Sequence, residues 1–241
     1  MRLNGKFALV TGGTDGIGAE LIRQLSAKGT QVIAVGRNPE RVAATRAAGF
    51  EVIEADLSNP AGIEAVLAAV GNRAIDILVN NAGAGVDHDF RDPGLPDLAE
   101  ADRTVFLNFN APMHLITRLM PVLRARPEAL VVNVTSGLAI APRAGGPVYC
   151  ATKAALRSYT QALRAQFKGT GVHFLEALPP VVETKLTAGR GNRKMAPAEC
   201  ARQIVAAMER GANEANVGMV KLLQVVNSIS PELARRIMIK F

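Results

Sequence analysis

Residues 7–18 read FALVTGGTDGIG, and residues 19–25 continue as AELIRQL. Phe7 to Val10 is an apolar run, Thr11 to Gly18 a glycine-rich turn, and Leu21, Ile22 and Leu25 recur at helical spacing, so the order is strand, loop, helix. A second apolar run, Gln31 to Val35, ends at Gly36-Arg37. It completes a strand-helix-strand unit of about 30 residues, whose crossover makes the two strands parallel. Gly12, Gly16 and Gly18 stand where a backbone can approach a diphosphate and where a helix N-terminus favours its charge.

Outward from that unit the alternation repeats. Glu51 to Ala55, Ile75 to Val79, Leu130 to Val134 and Val172 to Ala177 are further apolar runs. Helical patterns separate them around residues 60–70, after Asn108 and from Tyr149 to Phe167. Together these predict an α/β fold, a doubly wound parallel sheet of six to seven strands with helices on both faces. Nothing in the sequence reads as a linker or repeat, so residues 1–241 form one dinucleotide-binding and catalytic domain, with residues 185–196 as a substrate lid and 219–241 as a helical tail. A helix is expected from about Pro197 to Arg210, another over Met219 to Asn227, and a last one after Ser230-Pro231, an N-cap followed by proline at the first helical position.

Hydrophobic residues at 49% and charged residues at 20% are those of a folded globular domain. No apolar run reaches the roughly 18 residues that span a bilayer, and the start is too short for a signal peptide, so a cytoplasmic protein is expected. Cys150 and Cys200 are too few for a disulfide framework, and three scattered histidines supply no ligand spacing; buried thiols and no metal site are expected. Residues 185–241 hold ten Lys/Arg against four Asp/Glu, so nearly all of the +7 net charge sits there. Such a stretch can meet nucleic acid, anionic lipid or a phosphorylated ligand, but scattered charge is ordinarily just solvated. Aromatic residues make up only 4%, which argues against a nucleic-acid-binding module.

In dinucleotide folds the end of the second strand selects the cofactor, an acid for a free ribose and a basic residue for a 2′-phosphate. Here it reads Gly36-Arg37-Asn38, with Arg41 one helical turn on, which favours NADP(H). Asp15, in the glycine loop, counts against it by placing a negative charge near that phosphate.

The chain has Thr11-Gly-x-x-x-Gly-Ile-Gly18, Asp56-Leu57 after the third strand, Asn80-Asn-Ala-Gly83 after the fourth, Ser136 after the fifth, Tyr149-x-x-x-Lys153, and Pro179-Pro-x-Val-x-Thr184 after the sixth. Over roughly residues 5 to 210 this series resembles the short-chain dehydrogenase/reductase family. The resemblance implies a Rossmann-type fold and an oxidoreductase, most simply a carbonyl reductase, moving hydride between NADP(H) and a small-molecule carbonyl or secondary alcohol. It implies cofactor contacts from Gly12, Thr14, Asp15, Gly16, Ile17 and Gly18, from Arg37 and Asn38, from Asp56 and Leu57 at the adenine, and from Asn81, Ala82 and Gly83. Val182 and Thr184 would hold the nicotinamide carboxamide. Its catalytic set is Asn108, Ser136, Tyr149 and Lys153, the last two also touching the cofactor; the spacing of 28 residues before the serine selects Asn108 over Asn110. A homo-oligomer, dimer or tetramer, is implied as well. Pro179-Pro180 departs from the common Pro-Gly and should stiffen the loop over the nicotinamide. With the Gly36-Arg37 ending and the tail, it looks like the NADP-dependent subgroup labelled as D-alanine-export-associated oxidoreductases.

The chemistry also follows from the residues. A tyrosine hydroxyl titrates near pKa 10, and a lysine four residues on lies on the same helical face, where its charge lowers that value. Ser136 would hydrogen-bond the substrate carbonyl, Tyr149 would donate the proton, and Asn108 would hold a water linking Lys153 to solvent. The alternative is a catalytically silent NADP(H)-binding regulatory or scaffold protein, which a missing Tyr149 or Lys153 would have favoured. Substrate is expected between Ala84-Gly-Val86, Gly137 to Ile140, Pro142 to Pro147 and Lys185 to Ala196. Arg190, Arg193 and Lys194 could meet the phosphates of an acyl-CoA or an acidic acyl carrier. Leu233, Ile237 and Phe241, with Arg235, Arg236 and Lys240 around them, could rest on an anionic membrane, although such a helix more often packs on its own domain or on a partner subunit.

Overall fold

The computed structural model describes residues 1–85, 87, 89–91, 97–188 and 194–240. Seven strands, β1 (Phe7–Thr11), β2 (Gln31–Gly36), β3 (Glu51–Glu54), β4 (Ile77–Asn80), β5 (Ala129–Val134), β6 (Val172–Leu178) and β7 (Glu214–Asn216), form one sheet in the order β3-β2-β1-β4-β5-β6-β7. Every pairing is parallel. β4 and β5 are buried along their whole length, as strands covered on both faces must be.

α1 (Gly16–Ala27), α2 (Pro39–Ala47) and α7 (Pro197–Glu209) cover one face, where Leu21, Ile22 and Leu25 pack with Ile204, Val205 and Met208. α3 (Pro60–Val70), α5 (Ala111–Arg124) and α6 (Pro147–Gln166) cover the other, with Val66, Leu115, Ile116 and Leu163 in its core. α4 (Leu98–Val105) lies against α6. Two short helices, α8 (Val220–Ile229) and α9 (Pro231–Met238), follow β7. Asn38-Pro39, Asn59-Pro60 and Ser230-Pro231 each pair a side-chain cap with proline in the first turn, which starts α2, α3 and α9 where they do.

Two elements differ from the sequence reading. β7 is only Glu-Ala-Asn, too short and polar to register as an apolar run, and its pairing to β6 comes from tertiary context. The helix expected after Asn108 begins earlier: α4 runs into a π-helical turn, Phe106–Asn110, that continues into α5. Among the described residues no helix is long and apolar enough to cross a membrane. Both cysteines are free and buried.

Candidate active site

Strand order reverses between β1 and β4, the crevice where open α/β sheets bind ligands. A cavity of about 510 Å³ opens there. Gly12, Thr14, Asp15, Gly16 and Ile17 line it from the glycine loop, Arg37 and Asn38 from the end of β2, Asp56 and Leu57 from β3, Asn81, Ala82 and Gly83 from β4, and Thr184 from the segment after β6. Gly12 has φ +64°, and a Cβ there would lie 2.9 Å from Ala82 Cα; at Gly18 it would lie 2.0 Å from the Gly12 carbonyl oxygen. Gly18 and Val182 are therefore not wall residues. Gly18 lets α1 close on the turn, and Val182 is 3% exposed and bridges to Met195.

Hydrogen bonds fix this wall. Asp15 Oδ1 accepts from Gly16 N at 2.9 Å, capping α1, while its Oδ2 pairs with Arg41 Nη1 at 2.7 Å. Asn38 Oδ1 accepts from Arg41 N at 3.0 Å, capping α2. Arg37 Nη1 stands 3.6 Å from Asp56 Oδ1. Asn81 Nδ2 donates to the carbonyls of Thr11 and Gly12 at 3.0 and 3.2 Å, so Asn81 ties β4 to the glycine loop. Thr184 opens the short turn Lys185–Thr187, and its methyl sits where a Cβ on Gly16 would fall, at 2.8 Å. The bare loop, the amide groups opening α1 and two guanidinium groups at one end are the donor set a dinucleotide with an extra phosphate requires. Val35, Gly36, Arg41, Ala55, Ala84, Gly85, Leu107 and Lys185 complete the lining. Of these, Leu107 carries no motif signal, Gly85 stands in the stretch read as a substrate boundary, and Lys185 in the segment read as substrate lid.

Next to the cavity, α6 and the ends of β4 and β5 converge. Lys153 is 4% exposed; its Nζ donates to Val134 O at 2.9 Å and lies 5.7 Å from the Tyr149 ring centroid. Burial pushes its pKa down to about 8. Asn108 is wholly buried in the π-helical turn. Its Nδ2 donates to Ala84 O at 2.8 Å and Thr152 Oγ1 at 3.0 Å, and its Oδ1 accepts from Ala84 N at 2.9 Å. Both amide hydrogens of the side chain are thus committed, while Oδ1 keeps a second lone pair. A Cβ on Gly83 would lie 3.2 Å from Asn108 Oδ1 and 3.4 Å from Lys153 Nζ, so any larger residue there would have to displace one of these side chains by a few tenths of an ångström. Ser136 Oγ accepts from Leu138 N at 3.1 Å, a bond that leaves its proton to donate elsewhere.

The family profile described as short chain dehydrogenase matches residues 6–194. The chain belongs to the short chain dehydrogenase family. It is 40% identical over 190 residues to the oxidoreductase DltE of Bacillus subtilis (strain 168), across 77% of this chain and 75% of DltE. A short chain dehydrogenase from Burkholderia cenocepacia J2315 solved in complex with NADP superposes with TM-score 0.88 at 24% identity, covering 100% of both chains. One from Sphingobium yanoikuyae in complex with NADPH gives 0.82 at 25%, covering 95% and 94%.

Beside Ser136 of this short chain dehydrogenase the tail packs on its own domain. Val220 and Leu223 of α8 press on the Gly137 turn that follows Ser136, where a Cβ would meet them at 3.0 and 3.6 Å. Ala144 N donates to Ile239 O at 3.2 Å, tying the end of the tail to the loop before α6. Arg143 of that loop pairs with Asp87 across the cleft. Lys194 donates to the Thr187 carbonyl. Val86, Gly189, Arg190, Gly191 and Arg193 lie outside the described residues.

Proposed function

We propose that this oxidoreductase is an NADP(H)-dependent carbonyl reductase interconverting a small-molecule carbonyl compound and a secondary alcohol. NADP(H), when bound, supplies or accepts the hydride. The observation that carries the reading is the Lys153 ammonium, buried beneath the Tyr149 ring on the same face of α6, with one hydrogen bond to Val134 O. A cation held there in low dielectric favours the tyrosinate, which makes the Tyr149 hydroxyl a workable proton donor at neutral pH. Ser136, its lone pair held by Leu138 N, donates to the substrate oxygen and sets the carbonyl facing Tyr149. Asn108 fixes Ala84 and Thr152 around Lys153. A water held at Asn108 would link Lys153 to solvent, so that the proton given up by Tyr149 can be replaced.

Arg37 and Arg41, with no carboxylate ending β2, support NADP(H) over NAD(H). Asp15, which on sequence grounds opposes the phosphate, is neutralised by Arg41 and holds that guanidinium at the rim of the cavity. Replacing both arginines with alanine is expected to weaken NADPH relative to NADH by about tenfold or more in kcat/KM.

The deciding experiment is Tyr149→Phe, assayed by NADPH oxidation over a panel of ketones and aldehydes. Turnover should fall by at least about a thousandfold while NADPH binding, read by fluorescence, stays near wild type. Wild-type turnover in that variant would remove Tyr149 as the proton donor.

A further inference from the structure

Seven of the eleven exposed large apolar side chains among the described residues lie between Met219 and Ile239. They are ordered. Leu222, Val225 and Ile229 follow at steps of three and four along α8, at 57, 54 and 80% exposure, and Leu233 and Ile237 follow at a step of four along α9, at 49 and 43%. The opposite side of each helix is packed, with Val220 at 3% and Ala234 at 0%. Each helix therefore has one face on the protein and one apolar face on solvent. Apolar surface of that extent on a folded chain marks a docking face.

Charge decides the occupant. Residues 219–240 carry Lys221, Arg235, Arg236 and Lys240 against Glu232 alone, and Glu232 is already paired with Arg235 and Arg236 at 3.1 and 3.0 Å. A second copy of the chain docking through this face would set the same net +3 against itself across a two-fold axis, which is unfavourable. An anionic bilayer surface complements both features, taking the apolar row between its headgroups and the cations onto its phosphates. Helices of ten and eight residues lie on such a surface rather than cross it.

We infer that α8 and α9 dock this enzyme peripherally on anionic membranes. Because the inner face of α8 packs on the Gly137 turn beside Ser136, docking sets the cleft mouth at the bilayer. The carbonyl substrate is then one dissolved among lipid chains; this last step rests on the proposed function.

The test is sedimentation of the full chain with sucrose-loaded vesicles of phosphatidylcholine, alone or with a third phosphatidylglycerol. Binding to the anionic vesicles at low salt, weakened at high salt, is expected. Leu222→Gln with Ile229→Gln should lose it, and Lys221→Glu with Lys240→Glu should weaken it by about tenfold or more, both variants melting near the wild-type temperature. Equal absence from both vesicle types would overturn the proposal. So would a wild-type dimer that the Gln variant splits in the absence of lipid, since the face would then belong to a second copy. Binding requires no turnover, so a chain that binds vesicles but reduces no carbonyl would overturn the proposed function and leave the docking standing. For the substrate, a long-chain ketone should turn over faster in anionic than in neutral vesicles. That gain should vanish in the Gln variant, with a short soluble ketone unaffected; no gain in the wild type would overturn the lipid-dissolved substrate.

Discussion

An ammonium buried as deeply as that of Lys153 destabilises the fold that holds it. With its pKa pushed from 10.5 to about 8 by burial, the charged side chain costs about 3 kcal/mol near pH 7. The folded value lies below the unfolded one, so between about 8 and 10.5 the unfolded chain holds the extra proton; this group's contribution is poorest below 8 and improves as pH rises through that window. Lys153→Met should therefore stabilise the nucleotide-free protein at pH 7 by about 1–2 kcal/mol, after loss of the bond to Val134, while abolishing turnover. Urea denaturation at neutral and alkaline pH checks this: the gap to wild type should shrink toward pH 10, and a variant less stable than wild type at pH 7 would contradict it. Tyr149 and Lys153 were legible in the sequence because a helix puts residues four apart on one face. The pairing of Asp15 with Arg41 was not, since it joins the N-cap of α1 to the first turn of α2 across 26 positions, and only the β1–β2 register brings them together.

At the scale of elements, long apolar runs and glycine turns carried the strands and the cofactor loop, and five of the six strands read from the sequence keep their place to within a residue or so. What stayed hidden lacks a local signal. A π-helical turn needs one residue more than the helical period provides, and here it is held by the bonds of Asn108 to Ala84 and Thr152. A polar cluster beneath α6 is equally silent in sequence. Glu176 on β6, wholly buried, accepts from Thr135 Oγ1 at 2.7 Å and pairs with Arg157 Nη1 at 2.7 Å, and Arg157 also reaches Glu214 of β7 at 3.3 Å. The cluster ties the strand end before Ser136 to the helix of Tyr149 and to the edge strand. Burial raises the pKa of Glu176, so its charge is held by Arg157 and not by solvent. Removing one partner should cost more than removing both. Arg157→Met is expected to destabilise by about 3–5 kcal/mol, whereas adding Glu176→Leu to it should restore much of the loss. Denaturant titration of the two singles and the double gives the coupling energy, and strictly additive effects would refute the buried pair as a coupled unit.

Over the whole molecule, the sheet gathers the motifs at the C-terminal ends of its strands, and the sequence could read that side because all of them but the Tyr149-Lys153 pair, which stands on α6, directly follow a strand. It could not read the outer surface, where the same apolar spacing serves either packing or exposure. Among the described residues two outward apolar faces emerge, and their charges differ. The tail is cationic, whereas α4 carries Glu100, Asp102 and Arg103, both signs, around Leu98 and Val105, which lie seven apart on one side of the helix at 77 and 38% exposure. With a net charge of −1 against the tail's +3, the α4 face opposes its own copy across a two-fold axis with less like-charge repulsion, and a homodimer can use it while leaving the tail uncovered. Leu98→Glu with Val105→Glu would set four new carboxylates in that contact, two from each chain. Sedimentation velocity should then show a wild-type dimer or larger assembly becoming monomeric, with vesicle binding retained. If the variant stayed assembled and the tail variant Leu222→Gln, Ile229→Gln fell apart instead, the two faces would have exchanged roles, and the docking argument would fall with them.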